Sequence, residues 1–559
     1  MKNQAAARVQ LVIAIGLVVV TLAVNPWSAV DPINTIKMML LSAVAFGALG
    51  MVLVNRRTLV TSTYKPIIAL VIAFIAWMWV VLLIAPGEFH QQLFGTYGRN
   101  TGFVTYLSFA ILLLVAALIS NSDSITKLYP FILVAGGVSL VYGLIQALGA
   151  DPIGWVNGYS PVIGFLGNPN FQSSLLGVIG SVIFAMAISG KSSIKIKAVY
   201  VVYLLVTLYV IGESNSQQGF LVFITGVAVV LGMFIITKSK ALTVGYLVIS
   251  LIGFIALIVG TQAKGPFSFL YKTSVSLRGD YWRAGWNTTL DNPIFGAGMD
   301  SYGDWYRRSR DLETLGRGDP ERTSSAAHNV VLDISSGGGF PLVLIYISII
   351  ALVVVSALRV IKREKEFNPL FAGFVGAWVA FQAQSIISIN QIGLAIWGWV
   401  LSGLIIGYEI NTREKPAVEV KEQGPKIKSG GAVQSSALTG LALFVGLAVG
   451  MAAGSPSYIA SVRYKTALET QSQLELTKGA YLWPWEPLRM VEIAGAFNDQ
   501  KLEKEALQIA MDAVDRFPQN YFVWRALYYM KAATPEQKQE ALEQMKRLDP
   551  LNPTLKQLG

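Results

Sequence analysis

One histidine, a few arginines and a few asparagines are the residues of this sequence best suited to chemistry. Most of them lie in a single polar stretch. Segment 263–339 contains Arg278-Gly-Asp-Tyr-Trp282-Arg283, then Asn292-Pro293-Ile-Phe-Gly296-Ala-Gly298, then Arg307-Arg308-Ser-Arg310. It closes with His328-Asn329 ahead of Gly337-Gly338-Gly339. Histidine is the side chain best matched to proton transfer near neutral pH, and His328 is one of two in the chain. Guanidinium groups hold phosphate through a planar fork of donors. The residue types therefore suit two tasks, moving a proton and holding an anion.

Three shorter polar segments carry the other candidates. Residues 93–102 (LFGTYGRNTG) contain Arg99, which either clamps an anionic headgroup or faces lipid headgroups. Gly167-Asn168-Pro169-Asn170 reads as a turn with a helix cap, and a helix N-terminus is itself an anion site. Glu213-Ser214-Asn215-Ser216-Gln217-Gln218-Gly219 is a polar break. Its amides and hydroxyls can bond a sugar or a phosphate, or simply make an exposed turn. Segment 263–339 has nine basic and nine acidic residues, which suggests folded structure with internal ion pairs. Asp300 and Asp304 make too weak a pair to argue a metal site, so neither metal nor cofactor is expected. The absence of cysteine excludes disulfides, thiolate ligands and cysteine nucleophiles.

The elements that must position these residues are membrane helices. The chain has 559 residues, of which 53% are hydrophobic and only 14% charged. Soluble domains have about a quarter of their residues charged. Runs long enough to cross a bilayer occur at 9–29, 33–54, 66–85, 103–120, 128–148, 171–189, 198–212, 219–237, 241–262, 340–361, 369–387, 392–409 and 437–454. The first is too long, and lacks a small-residue cleavage site, to be a removable signal. With the N-terminus in the cytoplasm, the inner loops hold 20 Lys and Arg and the short outer loops only Arg99. That asymmetry sets the orientation and puts 263–339 and the tail 455–559 outside. The net charge of +11 is thus an orientation signal and gives no support to nucleic-acid binding. Lys37, inside a span, lies near enough to its end to snorkel.

Residues 411–436 read as a charged cytoplasmic linker. The tail is a different material, with 13 basic and 13 acidic residues and helical periodicity such as Leu502-Ala506-Ile509-Ala510-Ala513. Pro484, Pro518 and Pro550 recur at spacings of 34 and 32, which suggests a tetratricopeptide-like domain or an unrelated small helical one. Docking of a protein partner is the default use of such a solenoid.

In this order, the segments resemble the bacterial O-antigen ligase, O-antigen polymerase and O-oligosaccharyltransferase superfamily. The matching pieces are Gly98-Arg99 with Gly102, Gly167-Asn168-Pro169-Asn170, Arg278-x-x-x-Trp282, Asn292-Pro293-x-x-Gly296-x-Gly298, and His328-Asn329 followed by Gly338-Gly339. The resemblance implies an all-α polytopic protein of the GT-C type, with a catalytic membrane domain over 1–410. It implies a glycan donor on undecaprenyl pyrophosphate, and lipid A-core, a protein hydroxyl or a growing glycan as acceptor. By the same resemblance His328 is the general base and Arg278 a pyrophosphate clamp. Arg99, Asn168, Asn170, Gln217, Trp282, Arg283 and Asn329 are implied near the donor. There is one departure: the family usually has Ser-Arg-Gly where Ser216-Gln217-Gln218-Gly219 stands here. A neutral amide cannot neutralise phosphate, so Arg283, Arg307, Arg308 or Arg310 must substitute, or donor handling differs. Fixed arginines can stabilise a departing pyrophosphate without a metal, and single displacement inverts the anomeric centre.

A lipid-linked glycan transporter and a scaffold protein are the readings from other classes. A transporter predicts internal repeats and interrupted midplane helices, and neither stands out in the sequence.

Overall fold

The computed structural model describes residues 2–155, 160–261, 265, 273–316, 320–413 and 436–558, and among these no strand occurs. Residues 414–435 of the expected linker, 262 at the end of the ninth span, and 263, 264 and 266–272 of the outer loop lie outside the described residues. In a bilayer every backbone polar group must be satisfied internally, so apolar runs of this length fold as helices. The first part of the bundle comprises α1 (Lys2–Leu22), α2 (Asn34–Val54), short α3 (Arg56–Leu59), α4 (Lys65–Ile84), short α5 (Phe89–Phe94), α6 (Phe103–Ile119) and α7 (Ser122–Ala147). It continues with α8 (Pro169–Ala187), α9 (Ile194–Glu213), α10 (Gln217–Ile236) and α11 (Lys240–Thr261). The polar insertion holds α12 (Thr273–Asp291), α13 (Tyr302–Ser309) and α14 (Leu312–Gly316). The bundle then resumes with α15 (Val330–Arg363), α16 (Pro369–Ile387), α17 (Ile392–Thr412) and α18 (Ser436–Gly454).

Eleven of these helices are long and apolar enough to cross a membrane, and α6 and the apolar Lys240–Ala256 part of α11 are shorter. The thirteen expected spans therefore all coincide with helices, in a multi-pass membrane protein. The largest boundary changes are at α1, which ends at Leu22 rather than 29, and α15, which begins at Val330 rather than 340.

The bundle centre is α17, whose residues 392–409 are all buried. Between apolar helices in lipid, attraction comes from close packing, which small residues permit. A Cβ on Gly403 would lie 2.1 Å from the Leu113 carbonyl oxygen of α6, and one on Gly407 2.1 Å from that of Ala117. The last span uses the same device: Gly446, Gly450 and Gly454 of α18 face Phe46, Ser42 and Met38 of α2, at 2.3, 2.1 and 2.9 Å from their carbonyl oxygens to an added Cβ. That seam fixes where the tail leaves the bundle.

Lys37 does not snorkel. Its side chain is wholly buried, and its Nζ donates to the carbonyls of Val20 at 3.0 Å and Thr21 at 2.6 Å. A charge in this position needs partners at once; the unpaired carbonyls at the end of α1 are nearer than water.

The tail is a chain of helices: α19 (Pro456–Thr470), α20 (Gln473–Ala480), α21 (Pro487–Asp499), α22 (Glu503–Arg516), α23 (Tyr521–Tyr529) and α24 (Pro535–Leu548). The recurring proline marks a cap two residues later. Glu486, Asn520 and Asn552 each accept from the backbone N–H two residues beyond, at 3.1, 2.9 and 3.0 Å. The tail and the polar insertion lie on the same side of the bundle, joined by direct contacts.

Candidate active site

The site is built on two helical pieces and a strap of chain, residues 320–327. On α12, residues 278, 281, 282 and 285 share one face at the i, i+3, i+4, i+7 spacing. Gly285 lets this face approach the strap, since a Cβ there would already stand 3.2 Å from the Ala327 side chain. The second piece is the first part of α15. Gly339 breaks that helix with φ 72° and ψ −177°, a region open essentially to glycine alone, and Pro341 begins the second part. Trp77 Nε1 donates to the Gly338 carbonyl at 2.9 Å, and the Phe340 amide to the Pro293 carbonyl at 2.8 Å. The Asn292–Gly298 motif packs backbone to backbone on this break, with Ala297 N to Ser336 O at 2.7 Å and Gly298 N to Gly337 O at 3.1 Å. These glycines serve close approach, and they set the height of the half-helix beginning at Val330.

His328 sits at the entry to that half-helix. Its φ of 53° is left-handed, a conformation histidine adopts more readily than most residues. Asn329 follows as the cap, accepting from Val331 N at 3.0 Å and Leu332 N at 3.3 Å. The imidazole stacks on Tyr281 with centroids 5.4 Å apart, and Trp282 Nε1 reaches the His328 carbonyl at 3.4 Å. Burial above all, then the charges of Arg278 and Arg99, push the imidazole down to about 4. The ring is therefore neutral at physiological pH, and its nitrogens meet no hydrogen-bond partner among the described residues. A neutral, unengaged imidazole can accept a proton.

The arginines divide sharply. Arg278 is half-buried, has no hydrogen-bond or ion-pair partner among the described residues, and is pushed down by that burial. Arg322, on the strap, is likewise unpaired among the described residues, and its charge acts together with that of Arg278 on Tyr281. Arg283 is engaged: it meets Asp280 at 2.6 Å, Asp311 at 2.9 Å and Glu313 at 3.8 Å. Arg307 and Arg310 both bind Asp549 of the tail, at 2.7 and 2.6 Å, with all three side chains buried. Arg308 donates to the side chain and carbonyl of Gln519, both at 2.9 Å. Of the cations expected to replace the arginine missing at Gln217, none is free, while Arg322, which belongs to no motif, has no partner among the described residues.

Arg99 lies beneath the strap. It pairs with Asp300 at 2.7 Å, where the two are 9% and 1% exposed, and donates to the Ser325 carbonyl. Asp300 also accepts from the amides of Thr96 at 2.8 Å and Thr101 at 3.3 Å. Burial works against the charge of Arg99, but Asp300 and Asp333 outweigh it and hold the guanidinium above its ordinary range. Below this pair, a small cavity of about 20 Å³ reaches from Arg99, Asp300 and Tyr302 to Asp333 and Gly337 of the half-helix.

The structure thus brings Arg278, Trp282, His328 and Asn329 together, with Arg99 supporting the strap. Asn168, Asn170 and Gln217 form a second cluster. Asn168 caps α8 through Asn170 N at 2.9 Å, Asn170 accepts from Ser216 Oγ at 2.8 Å, and Gln218 donates to Ser174 Oγ at 3.0 Å. Gln217 stands half-buried at the start of α10. This cluster reaches the first through neighbours: Gly167 abuts Ile33, and Asn34 donates to the Gly98 carbonyl at 2.7 Å.

Comparison with known proteins finds one family match, which spans part of this site. Residues 199–347 match the family described as O-antigen ligase, a stretch from α9 through the half-helix that contains Gln217, Arg278, Trp282, His328 and the Gly339 break. No curated protein matches the chain. The chain thus carries, over residues 199–347, a domain similar to the O-antigen ligase family.

Proposed function

We propose that the chain transfers a glycan from undecaprenyl pyrophosphate to an acceptor hydroxyl, with His328 as general base and Arg278 and Arg322 holding the pyrophosphate. What carries the reading is the neutral imidazole of His328 beside two arginines, all three without hydrogen-bond or ion-pair partners among the described residues. Arg283, Arg307, Arg308 and Arg310 are committed to carboxylates or to the tail. Arg99 keeps its buried pair with Asp300 and positions the strap.

The acceptor oxygen forms its bond to the anomeric carbon while the bond from that carbon to the pyrophosphate oxygen breaks. The electron pair leaves with the pyrophosphate, whose growing charge meets the guanidinium groups. The acceptor proton passes to the imidazole. One displacement inverts the anomeric configuration, and no metal is required. Donor binding brings negative charge to the arginines and so raises the basicity of His328 when it is needed.

The site faces the outer side of the plasma (inner) membrane, with the N-terminus in the cytoplasm; the basic residues of the opposite loops support this. The tail is a tetratricopeptide-like domain in this reading, on the strength of its repeated caps. Reconstitution with a lipid-linked glycan and candidate acceptors (lipid A-core, protein, a second lipid-linked glycan), with mass spectrometry of the product, tests the reaction and separates ligase from oligosaccharyltransferase and polymerase. Transfer that persists undiminished in His328→Ala overturns the base; loss of transfer in EDTA overturns metal independence.

A further inference from the structure

Between the loop of Arg99 and the tail lies a cavity of about 150 Å³. None of the groups assigned above to proton or phosphate handling lines it. Resting on the transferase reading, we propose that this cavity binds a neutral pyranose, the sugar bearing the acceptor hydroxyl.

The lining has the chemistry of a polyol site. Gln91, Thr96, Ser324 and Ser325 come from the membrane domain and its strap, and Asp304 and Asn520 meet across the junction with the tail at 2.8 Å. These groups can donate to and accept from ring hydroxyls. Trp485 supplies a rigid apolar wall, fixed by Arg516 at 3.7 Å from its ring and by the tilted His90 ring at 4.8 Å. The C–H face of a pyranose packs on such surfaces.

Charge decides against an anionic ligand. Asp304 and Glu486 line the cavity, and its one arginine, Arg489, is buried and donates to the carbonyls of Leu482 and Pro484. A phosphate or uronate would meet carboxylates here without a free cation. Asn100, only 1% exposed, lines the cavity and has an amide oxygen with no hydrogen-bond partner. Buried polar atoms of this kind call for an explanation.

Position ties the cavity to the reaction. Thr96 lines it while its amide holds Asp300, and Ser325 lines it while its carbonyl takes Arg99. From Ser325 the strap runs only to Ala327 before reaching His328. A sugar seated under the tail therefore touches the strap three residues ahead of the base.

The test is direct binding to the full chain in nanodiscs. Neutral methyl pyranosides (gluco, galacto, manno and rhamno) and methyl glucuronide are titrated, with saturation-transfer NMR and calorimetry as readouts. At least one neutral glycoside should bind, with the glucuronide at least 10-fold weaker. Leu488→Trp, which adds bulk at a half-exposed lining position, should weaken that binding at least 10-fold, as should Trp485→Ala; Leu488→Trp removes no core contact and guards against misfolding. Failure of every neutral glycoside to bind, tighter binding of the glucuronide, or indifference to both substitutions overturns the proposal. Glycoside binding as stated, in a protein that transfers from no lipid-linked donor, would instead sink the catalytic reading and leave the cavity standing.

Discussion

The polar insertion holds two populations of arginine, and they differ in what surrounds them rather than in type. Arg307 and Arg310 are almost fully buried and share the single carboxylate of Asp549. Arg307 also donates to the Glu321 carbonyl, and Arg310 to that of Pro320. They fasten the tail to the beginning of the strap. Arg278 and Arg322 have no such partners and lie beside Tyr281, against which the His328 ring stacks. Guanidinium held in a buried pair is already neutralised, so it has little to offer a phosphate; one left open at a half-buried site keeps its field for the ligand. The difference teaches that the loop divides its cations between architecture and chemistry, and substitutions should separate the two.

The largest effects belong to the open set and its base. His328→Ala should lower transfer by about 10²–10⁴-fold, the usual contribution of a positioned base. Arg278→Ala should cost on the order of 10²–10³-fold, as removal of a fixed charge stabiliser does. Both variants should keep wild-type thermal stability within a few degrees, measured by unfolding of the purified protein. Arg322→Gln is expected to follow with a loss of about 10-fold or more. Retention of full activity in that variant would return the second clamp to the unanswered question raised by Gln217.

Asp549→Ala reverses the pattern. It leaves the buried Arg310 without a counter-charge and Arg307 with Glu321 alone at 3.4 Å, which costs about 3–5 kcal/mol. The expected result is a lowered unfolding transition and easier proteolytic release of the tail. Activity should fall only as far as the strap loosens, so loss of transfer with unchanged stability would break the comparison.

How much of this was legible in sequence follows the range of each interaction. Spans are local in composition, and all thirteen coincide with helices. The spacing of Arg278 and Trp282 is an i, i+4 relation on one helix face, and His328 beside a capping asparagine is also local. The Gly446-x-x-x-Gly450-x-x-x-Gly454 seam is written in the same kind of local spacing. Arg307 and Asp549 lie 242 residues apart, and no periodicity announces such a pair; for that reason the loop arginines were indistinguishable by sequence. Arg322 sits in no motif, and only the pairing of its neighbours sets it apart. Lys37 lies near the end of its own helix α2 in sequence, but its partners belong to the end of α1.

A finer test is the pH dependence of kcat/KM. Burial and then Arg278 hold the free-enzyme His328 down to about 4, so its protonation should not limit wild-type kcat/KM between about pH 5 and 8. Removing a neighbouring positive charge makes the imidazolium easier to form. The acid limb in Arg278→Gln should therefore move upward, toward the ordinary histidine value of about 6.5. No movement would mean that Arg278 does not act on the base electrostatically.

The smallest effect should come from Arg283, which separates the two sets most cleanly because it lies on the same helix as Arg278. Its guanidinium is 40% exposed and shared among Asp280, Asp311 and Glu313, a partly solvated network in which a single ion pair contributes about 0–1 kcal/mol. Arg283→Gln is expected to leave transfer within about 3-fold of wild type, since roughly 0.6 kcal/mol corresponds to that factor. A loss approaching that of Arg278→Ala would mean the carboxylates release Arg283 when the donor arrives. The division of cations would then be a feature of the unliganded state alone.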